Sequence, residues 1–208
     1  PDHIRCLADS VRGLAVAQRE PVRGLTVCTA SKAVTLGDGV KLVGQRINPS
    51  GNAMMTQAVC TGDFDSIVEL AIDQLSDGAD MLDVNVFVDG VDEVAAMREA
   101  VAAVQAACHA PLLIDSMDPA ALEAGLRVYS GKPVLNSVPV TQKAMETLLP
   151  LAKRYGAAVV GMTLSEAGIP RTAQERLALA QRFIDTALSY GIPRRDILID
   201  CVTQAHSM

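Results

Sequence analysis

The stretch DMLDVNVFVDGVDEVAAMREAVAAVQAACHAPLLIDS, residues 80–116, decides the fold. It opens on a short apolar run, DMLDVNV (80–86), and closes on another, PLLIDS (111–116). Between them, residues 92–108 carry Val94, Met97, Val101 and Val104 at helical spacing. Strand, helix, strand in so short a span is a βαβ unit, whose two strands run parallel. The same rhythm extends in both directions. Further apolar runs are KLVGQRIN (41–48), PVLNSV (133–138), AAVVGMT (157–163) and DILIDC (196–201). A helix is predicted over 66–77, burying Ile67, Leu70, Ala71 and Leu75 ahead of Gly78. Asp118-Pro119 reads as an N-cap with an N1 proline, and Leu122, Gly125 and Leu126 continue that helix toward Gly131. Thr172 to Glu175 is a capping box for a helix running to Tyr190, with Gly191 placed to end it. Residues 141–155 are also helical in pattern, with Pro150 expected to kink or restart the helix.

Upstream, residues 1–15 set Ile4, Leu7, Val11 and Leu14 on one helical face. A connector with Pro21 and Gly24 follows, then a predicted hairpin of residues 25–30 and 33–36, followed by the Asp38-Gly39 turn. Six strand–helix repeats make a parallel α/β protein, and both a doubly wound sheet and a (β/α)8 TIM barrel share that rhythm. The polar residues separate them. Five of the six runs are broken near the C-terminal end: Asn48, Asp83 with Asn85, Asp115, Asn136 and Asp200. In a barrel those ends converge on the face that carries chemistry. A doubly wound sheet calls for a glycine-rich phosphate loop, and the sequence has no GxGxxG or Walker-type motif. The barrel is favoured.

Composition narrows the function. The 208 residues are 50% hydrophobic, 20% charged and 3% aromatic, with 18 basic against 24 acidic side chains and a net charge of −6. That length suits one domain with a full core. The charge argues against nucleic acid or an anionic membrane as partner, and no apolar run approaches a membrane span. The start has no signal-peptide pattern, so a cytoplasmic location is expected. Cys6, Cys28, Cys60, Cys108 and Cys201 are scattered without zinc spacing and read as buried, reduced thiols. The three histidines are equally dispersed, His206 near the chain end, and no metal is expected.

Carboxylates at strand ends are costly to bury without partners. Each has a structural reading: a strand-end Asp often caps the next helix, and Asp83 inside its run is expected to hold a backbone amide or Arg46. Gathered on one face, however, acids and carboxamides suit a neutral ligand rich in N–H donors. Carboxylates accept bidentate pairs and Asn both donates and accepts, so a heterocycle with an amide and an exocyclic amine fits, whereas a phosphate does not.

The segments Gly44-Gln-Arg-Ile-Asn-Pro-Ser-Gly51, Gly78-Ala-Asp-Met-Leu-Asp-Val-Asn85 and Pro111-Leu-Leu-Ile-Asp-Ser116 resemble the pterin-binding domain of cobalamin-dependent methionine synthase. So do Lys132-Pro-Val-Leu-Asn-Ser-Val138, Tyr155-Gly-Ala-Ala-Val-Val160 and Asp196-Ile-Leu-Ile-Asp-Cys201, and folate–corrinoid methyltransferases share the layout. The resemblance implies a dihydropteroate-synthase-like (β/α)8 barrel that binds 5-methyltetrahydrofolate at its C-terminal face. The methyl group would pass to cob(I)alamin on a separate domain or corrinoid protein, and in methionine synthesis onward to homocysteine. Asp115, Asn136 and Asp200 match the pterin-anchoring positions, and Asn85 and Asn48 line the same face. Asp115 and Asn136 are the candidate catalytic residues. Pro1-Asp-His-Ile4 looks like the tail of a homocysteine-binding domain. The implied division is therefore a helix and connector (1–24), a hairpin plugging the barrel floor (25–40) and an incomplete barrel (41–208).

Two departures stand out. The family's Gly-Glu-Arg reads Gly-Gln45-Arg here, removing a carboxylate from the site rim, and its Asn-Val-Gly reads Asn85-Val-Phe87. The span from Lys41 is also short of the roughly 250 residues of a complete barrel. Strands seven and eight, and an asparagine that the family carries on strand seven, are expected to lie outside this sequence. Open edges would favour completion by another segment or self-association. Two other functions compete. One is a dihydropteroate synthase-like condensation, although Asn48-Pro-Ser-Gly51 does not match that enzyme's Asn-Thr-Pro-Asp-Ser-Phe-like loop. The other is a non-catalytic pterin-binding remnant.

Overall fold

The computed structural model describes residues 2–15, 24–37 and 39–203. Six strands form one parallel sheet: β3 (Val43–Ile47), β4 (Met81–Val84), β5 (Leu112–Asp115), β7 (Val134–Pro139), β8 (Ala158–Met162) and β9 (Ile197–Asp200). They are hydrogen-bonded in that order, each to its neighbour, which is barrel order rather than the reversed order of a doubly wound sheet. A second, antiparallel sheet joins β1 (Leu25–Thr29) to β2 (Ala33–Leu36) and to β6 (Gly131–Lys132). The hairpin is thus present as expected. The two-residue β6, which ties it to the main chain of the barrel, carries too short a pattern to be read from sequence.

Helices follow the strands: α2 (Ala53–Thr61), α3 (Phe64–Ser76), α4 (Glu93–Ala107), α5 (Pro119–Val128), α6 (Gln142–Tyr155) and α7 (Ala173–Ser189). Each begins at a side chain that accepts a free first-turn N–H: Asn52, Asp63, Asp92, Asp118, Thr141 and Thr172. The capping box at Thr172 and Glu175 is complete. Two expectations about helices need correction. α6 runs through Pro150 as a single helix. Leu148, Leu149, Leu151 and Ala152 are buried around the proline, which itself faces solvent, so packing outweighs one missing N–H. On α4, Val94 is exposed, and Ala96, Met97, Ala100, Val101 and Val104 form the buried face. The short α2 escapes a reading by periodicity, because its nine residues carry little amphipathic signal.

Alternation along the strands sorts the core into two. Leu82, Val84, Leu112, Ile114, Leu135 and Val159 point outward and join the main core beneath the helices. Their neighbours Met81, Leu113, Val134 and Ala158 point inward and pack against Leu25, Val27 and Val34 of the hairpin. Helices approach closely where side chains vanish: a methyl added at Gly125 would stand 2.8 Å from Ile114 Cγ2, and one at Gly161 would stand 2.3 Å from Phe183 Cδ1. The inner floor is fastened at two points. Tyr129 donates its hydroxyl to Cys28 O at 2.9 Å and accepts from Leu112 N, while Lys132 Nζ pairs with Asp196 Oδ1 at 2.6 Å.

Helix α1 (Asp2–Val11) presents Ile4, Leu7 and Val11 to solvent. Most of the predicted connector, residues 16–23, together with Asp38 and His206, lies outside the described residues. The cysteines differ from expectation: Cys108 is buried, Cys28 half-buried, and Cys6, Cys60 and Cys201 exposed. Their scattered positions on helix and loop surfaces, rather than any loss of structure, account for the difference. Among the described residues no helix is long and apolar enough to cross a membrane, and no group of acids, histidines and cysteines is arranged to hold a metal ion.

Candidate functional site

On four of the six strands the same inner face turns polar two residues beyond an inward apolar position, whereas on β8 Ala158 is followed by Val160. Met81 leads to Asp83, Leu113 to Asp115, Val134 to Asn136 and Leu198 to Asp200. Register then aligns the neighbours. Asp83 lies beside Leu113, and Asp115 lies beside Asn136. The apolar layer forms the floor, and the acids and amides stand on it at the C-terminal ends of the strands.

Two of the acids are each paired with a carboxamide. Asn136 Nδ2 donates to Asp83 Oδ1 at 2.9 Å, and Asn85 Nδ2 donates to Asp115 Oδ2 at 3.1 Å. Asp83 is 2% exposed and Asp115 half-buried. Burial raises the Asp83 pKa to about 7, with the Asp115 charge adding to it and the Asn136 amide opposing it. Burial also raises Asp115, while bonds from Asn85 and Asp83 pull it back. The two carboxyls therefore resist carrying a charge each, and Asp83 is the one that keeps its proton up toward neutral pH. Every buried side-chain N or O among the described residues has a partner.

A cleft of about 340 Å³ opens over this pair, lined by Gln45, Arg46, Asn48, Ser50, Asn52, Asp83 and Asp115. Gln45 reaches it through a break in the ladder between β3 and β4, where pairing is lost between Gly44 and Ile47. Gln74 on α3 fills the gap: its Oε1 accepts from Arg46 N at 2.7 Å, and its Nε2 donates to Leu70 O. Asn48 Oδ1 accepts from Ser50 N, shaping the loop into α2, and Asn52 caps that helix. A larger compartment of about 720 Å³ adjoins through Asn48 and Ser50, and Asn85, Phe87, Val88, Glu93 and Met117 are on its wall.

The structure brings together Asp115, Asn136 and Asn85, and places Asn48 and Gln45 on the cleft wall. Asp200 stands apart. Its exposed carboxylate accepts from Val202 N at 2.7 Å, and β8 separates it from Asn136. Its inward phase put it on the right face, but the strand it ends is at the sheet edge. The expected partner of Asp83 is also corrected, from a backbone amide or Arg46 to Asn136, which only the strand pairing makes a neighbour. Asp83 itself belongs among the site residues, since it holds the same phase relative to Met81 as Asp115 does to Leu113. Gln74 and the Ser116–Glu93 hydrogen bond carried no sequence signal.

The comparisons with known proteins agree with this layout. A family described as pterin binding enzyme matches residues 44–207. Methionine synthase of Mycobacterium tuberculosis is 31% identical over 211 residues, covering 98% of this chain and 18% of that protein. The chain therefore spans about a fifth of that relative's length. Among solved structures, Yersinia pestis DHPS with a pterine-sulfa conjugate superposes with a TM-score of 0.64 at 17% identity, covering 85% of this chain and 64% of that one. Dihydropteroate synthase from Thermus thermophilus in complex with 6HMPPP gives 0.62 at 22%, with coverage of 85% and 64%. These establish the TIM-barrel type of fold, of which the described residues supply six strands. The chain belongs to the pterin binding enzyme family.

Proposed function

We propose that this chain binds 5-methyltetrahydrofolate through its pterin ring and supports transfer of the N5 methyl group to cob(I)alamin held by a separate domain or corrinoid protein, as in methionine synthesis. The observation that carries the reading is the buried Asp83–Asp115 pair, flanked by Asn136 and Asn85, under an open cleft. Raised pKa values keep the pair from carrying two full negative charges while leaving several acceptor lone pairs. That matches the amide and amine edge of a neutral pterin, and Asn136 and Asn85 fix how the carboxyls face it. Asp115 is assigned the principal anchoring contact, with Asn48 and Gln45 on the rim.

Breaking the N5–CH3 bond leaves the electron pair on nitrogen, so a proton delivered at N5 makes a better leaving group. The cobalamin supplies the nucleophile when its domain is docked. The chain's own part is to hold the ring still, exclude water from its polar edge and keep a proton available near neutral pH, the range in which Asp83 titrates. The 31% identity to a methionine synthase supports this over condensation chemistry. The same relative supports reading residues 1–24 as a link from a homocysteine-binding domain and residues 25–40 as the plug of the barrel floor.

Titration of the chain with 5-methyltetrahydrofolate tests binding, and methyl transfer to reduced cobalamin tests activity. Saturable binding with transfer is the expected result. Binding without transfer would leave a pterin-binding remnant. Turnover of pterin pyrophosphate with p-aminobenzoate, without methyl transfer, would replace the proposal with a synthase.

A further inference from the structure

We propose that Gln74, a buried residue of α3 that lines neither cleft, is a positioning residue for the ligand site: its carboxamide fixes an extra residue in β3 and so turns both Gln45 and Arg46 onto the polar cleft. This inference rests on the reading of that cleft as a pterin site. β3 does not keep strict alternation. Val43 packs inward with the hairpin cluster, and Gly44 pairs with the outward Leu82. Alternation would return Ile47 to the inner face. Ile47 is instead fully buried in the outer core, level with Val84. The steps from Gly44 to Ile47 on β3 outnumber by one those from Leu82 to Val84 on β4, so Gln45 and Arg46 together stand opposite Asp83 alone. This bulge lets two consecutive side chains share the cleft wall with that acid, and it brings Asn48 onto the same wall after them.

A bulge disrupts the ladder and leaves a backbone group to be satisfied elsewhere, and here the partner of Arg46 N comes from α3. Gln74 is 4% exposed. Its Oε1 accepts from Arg46 N at 2.7 Å, and its Nε2 is anchored on Leu70 O of the same helix at 3.3 Å. Gly44 leaves room for it. A methyl added there would stand 2.7 Å from Gln74 Oε1 and 3.0 Å from Leu82 Cδ2. One carboxamide thus sets where the extra residue of β3 falls without touching a ligand itself. The consequence for the site is electrostatic as well as steric. Among the described residues on the cleft wall, Arg46 is the one basic side chain, so the bulge decides whether a cation stands beside the Asp83–Asp115 pair.

Calorimetric titration of the full chain with 5-methyltetrahydrofolate, in the wild type and in Gln74→Leu, tests the role. Gln74→Leu is expected to weaken binding by about fivefold or more while circular dichroism reports an intact fold. Gln74→Glu keeps an acceptor toward Arg46 N in either protonation state. It should bind within about twofold of the wild type even though burying a carboxyl lowers its urea midpoint. Restored affinity beside reduced stability is a result that a merely structural role would not give. A mutant cycle reads the coupling. The paired change Gln45→Ala with Arg46→Ala should cost about fivefold or more in the wild type and less than about twofold in Gln74→Leu, where those side chains no longer face the ligand. Equal costs in the two backgrounds, no cost in either, a Gln74→Leu affinity like that of the wild type, or a Gln74→Glu affinity as weak as that of Gln74→Leu would each overturn the proposal and leave the pterin reading standing. A wild type that binds no folate would remove both.

Discussion

Replacing Asp83 by Asn should stabilise the unliganded protein at pH 8 and abolish one component of its pH dependence. Asp83 is 2% exposed, and its pKa rises from an ordinary 3.8 to about 7. An acid whose folded pKa lies above its unfolded one contributes stability that is whole below the unfolded value and is lost as pH climbs to the folded value. Between about pH 4 and pH 7 the native state holds a proton that the unfolded chain has released, so stability falls by about 1.4 kcal/mol per pH unit from this group alone. Across the window the loss is about 4 kcal/mol, a large share of the 5–15 kcal/mol typical of a folded domain. Asparagine mimics the protonated acid: its oxygen accepts from Asn136 and its amide donates toward Asp115. Asp83→Asn should therefore match the wild type near pH 4 and exceed it above pH 7, the difference approaching that loss, while folate binding weakens because an acceptor has become a donor. Urea unfolding of both proteins from pH 4.5 to 8.5 gives the difference curve, in which the acids remote from position 83 cancel and Asp115 alone contributes beside it. A flat curve, or a variant less stable than wild type at pH 8, would refute the burial argument.

Asn136→Ala should weaken folate binding by about 1–3 kcal/mol, the usual cost of an unpaired buried polar group, and should move the Asp83 transition to higher pH because the opposing amide is gone. Titration calorimetry and the same unfolding series check both effects. Asp115→Asn should weaken folate binding comparably, and a normal affinity in either variant with the fold intact would remove these residues from the site. Gln74→Leu leaves the Arg46 N–H without its acceptor and should cost about 1–3 kcal/mol, with faster hydrogen exchange at Arg46 as the local signature. Asp118→Ala removes the α5 cap and should lower stability by about 1 kcal/mol in the same urea series.

Much of the molecule was written in local pattern. The six strand runs, the Asp118 cap, the Thr172 capping box and the hairpin follow from periodicity and turn chemistry acting within a few residues. The chemical character of the site was legible too, because acids and amides ending apolar strands have few places to go except a shared polar face. Pro150 shows where local preference yields: its helix is continuous because buried leucines on either side hold it to the sheet.

What sequence alone determined, then, was the order of elements, the face on which each side chain lies, and the kind of ligand that such a face suits. Tertiary structure decided the partnerships. Asn136 meets Asp83 across 53 residues of chain, and Asn85 meets Asp115 across 30. Gln74 replaces the missing ladder bond of β3, and Asp200 falls outside the cluster that its spacing suggested. The physical reason is that phase along a strand is fixed by its own backbone geometry, whereas proximity across strands depends on register and sheet order, and these are set by how the whole apolar interior packs.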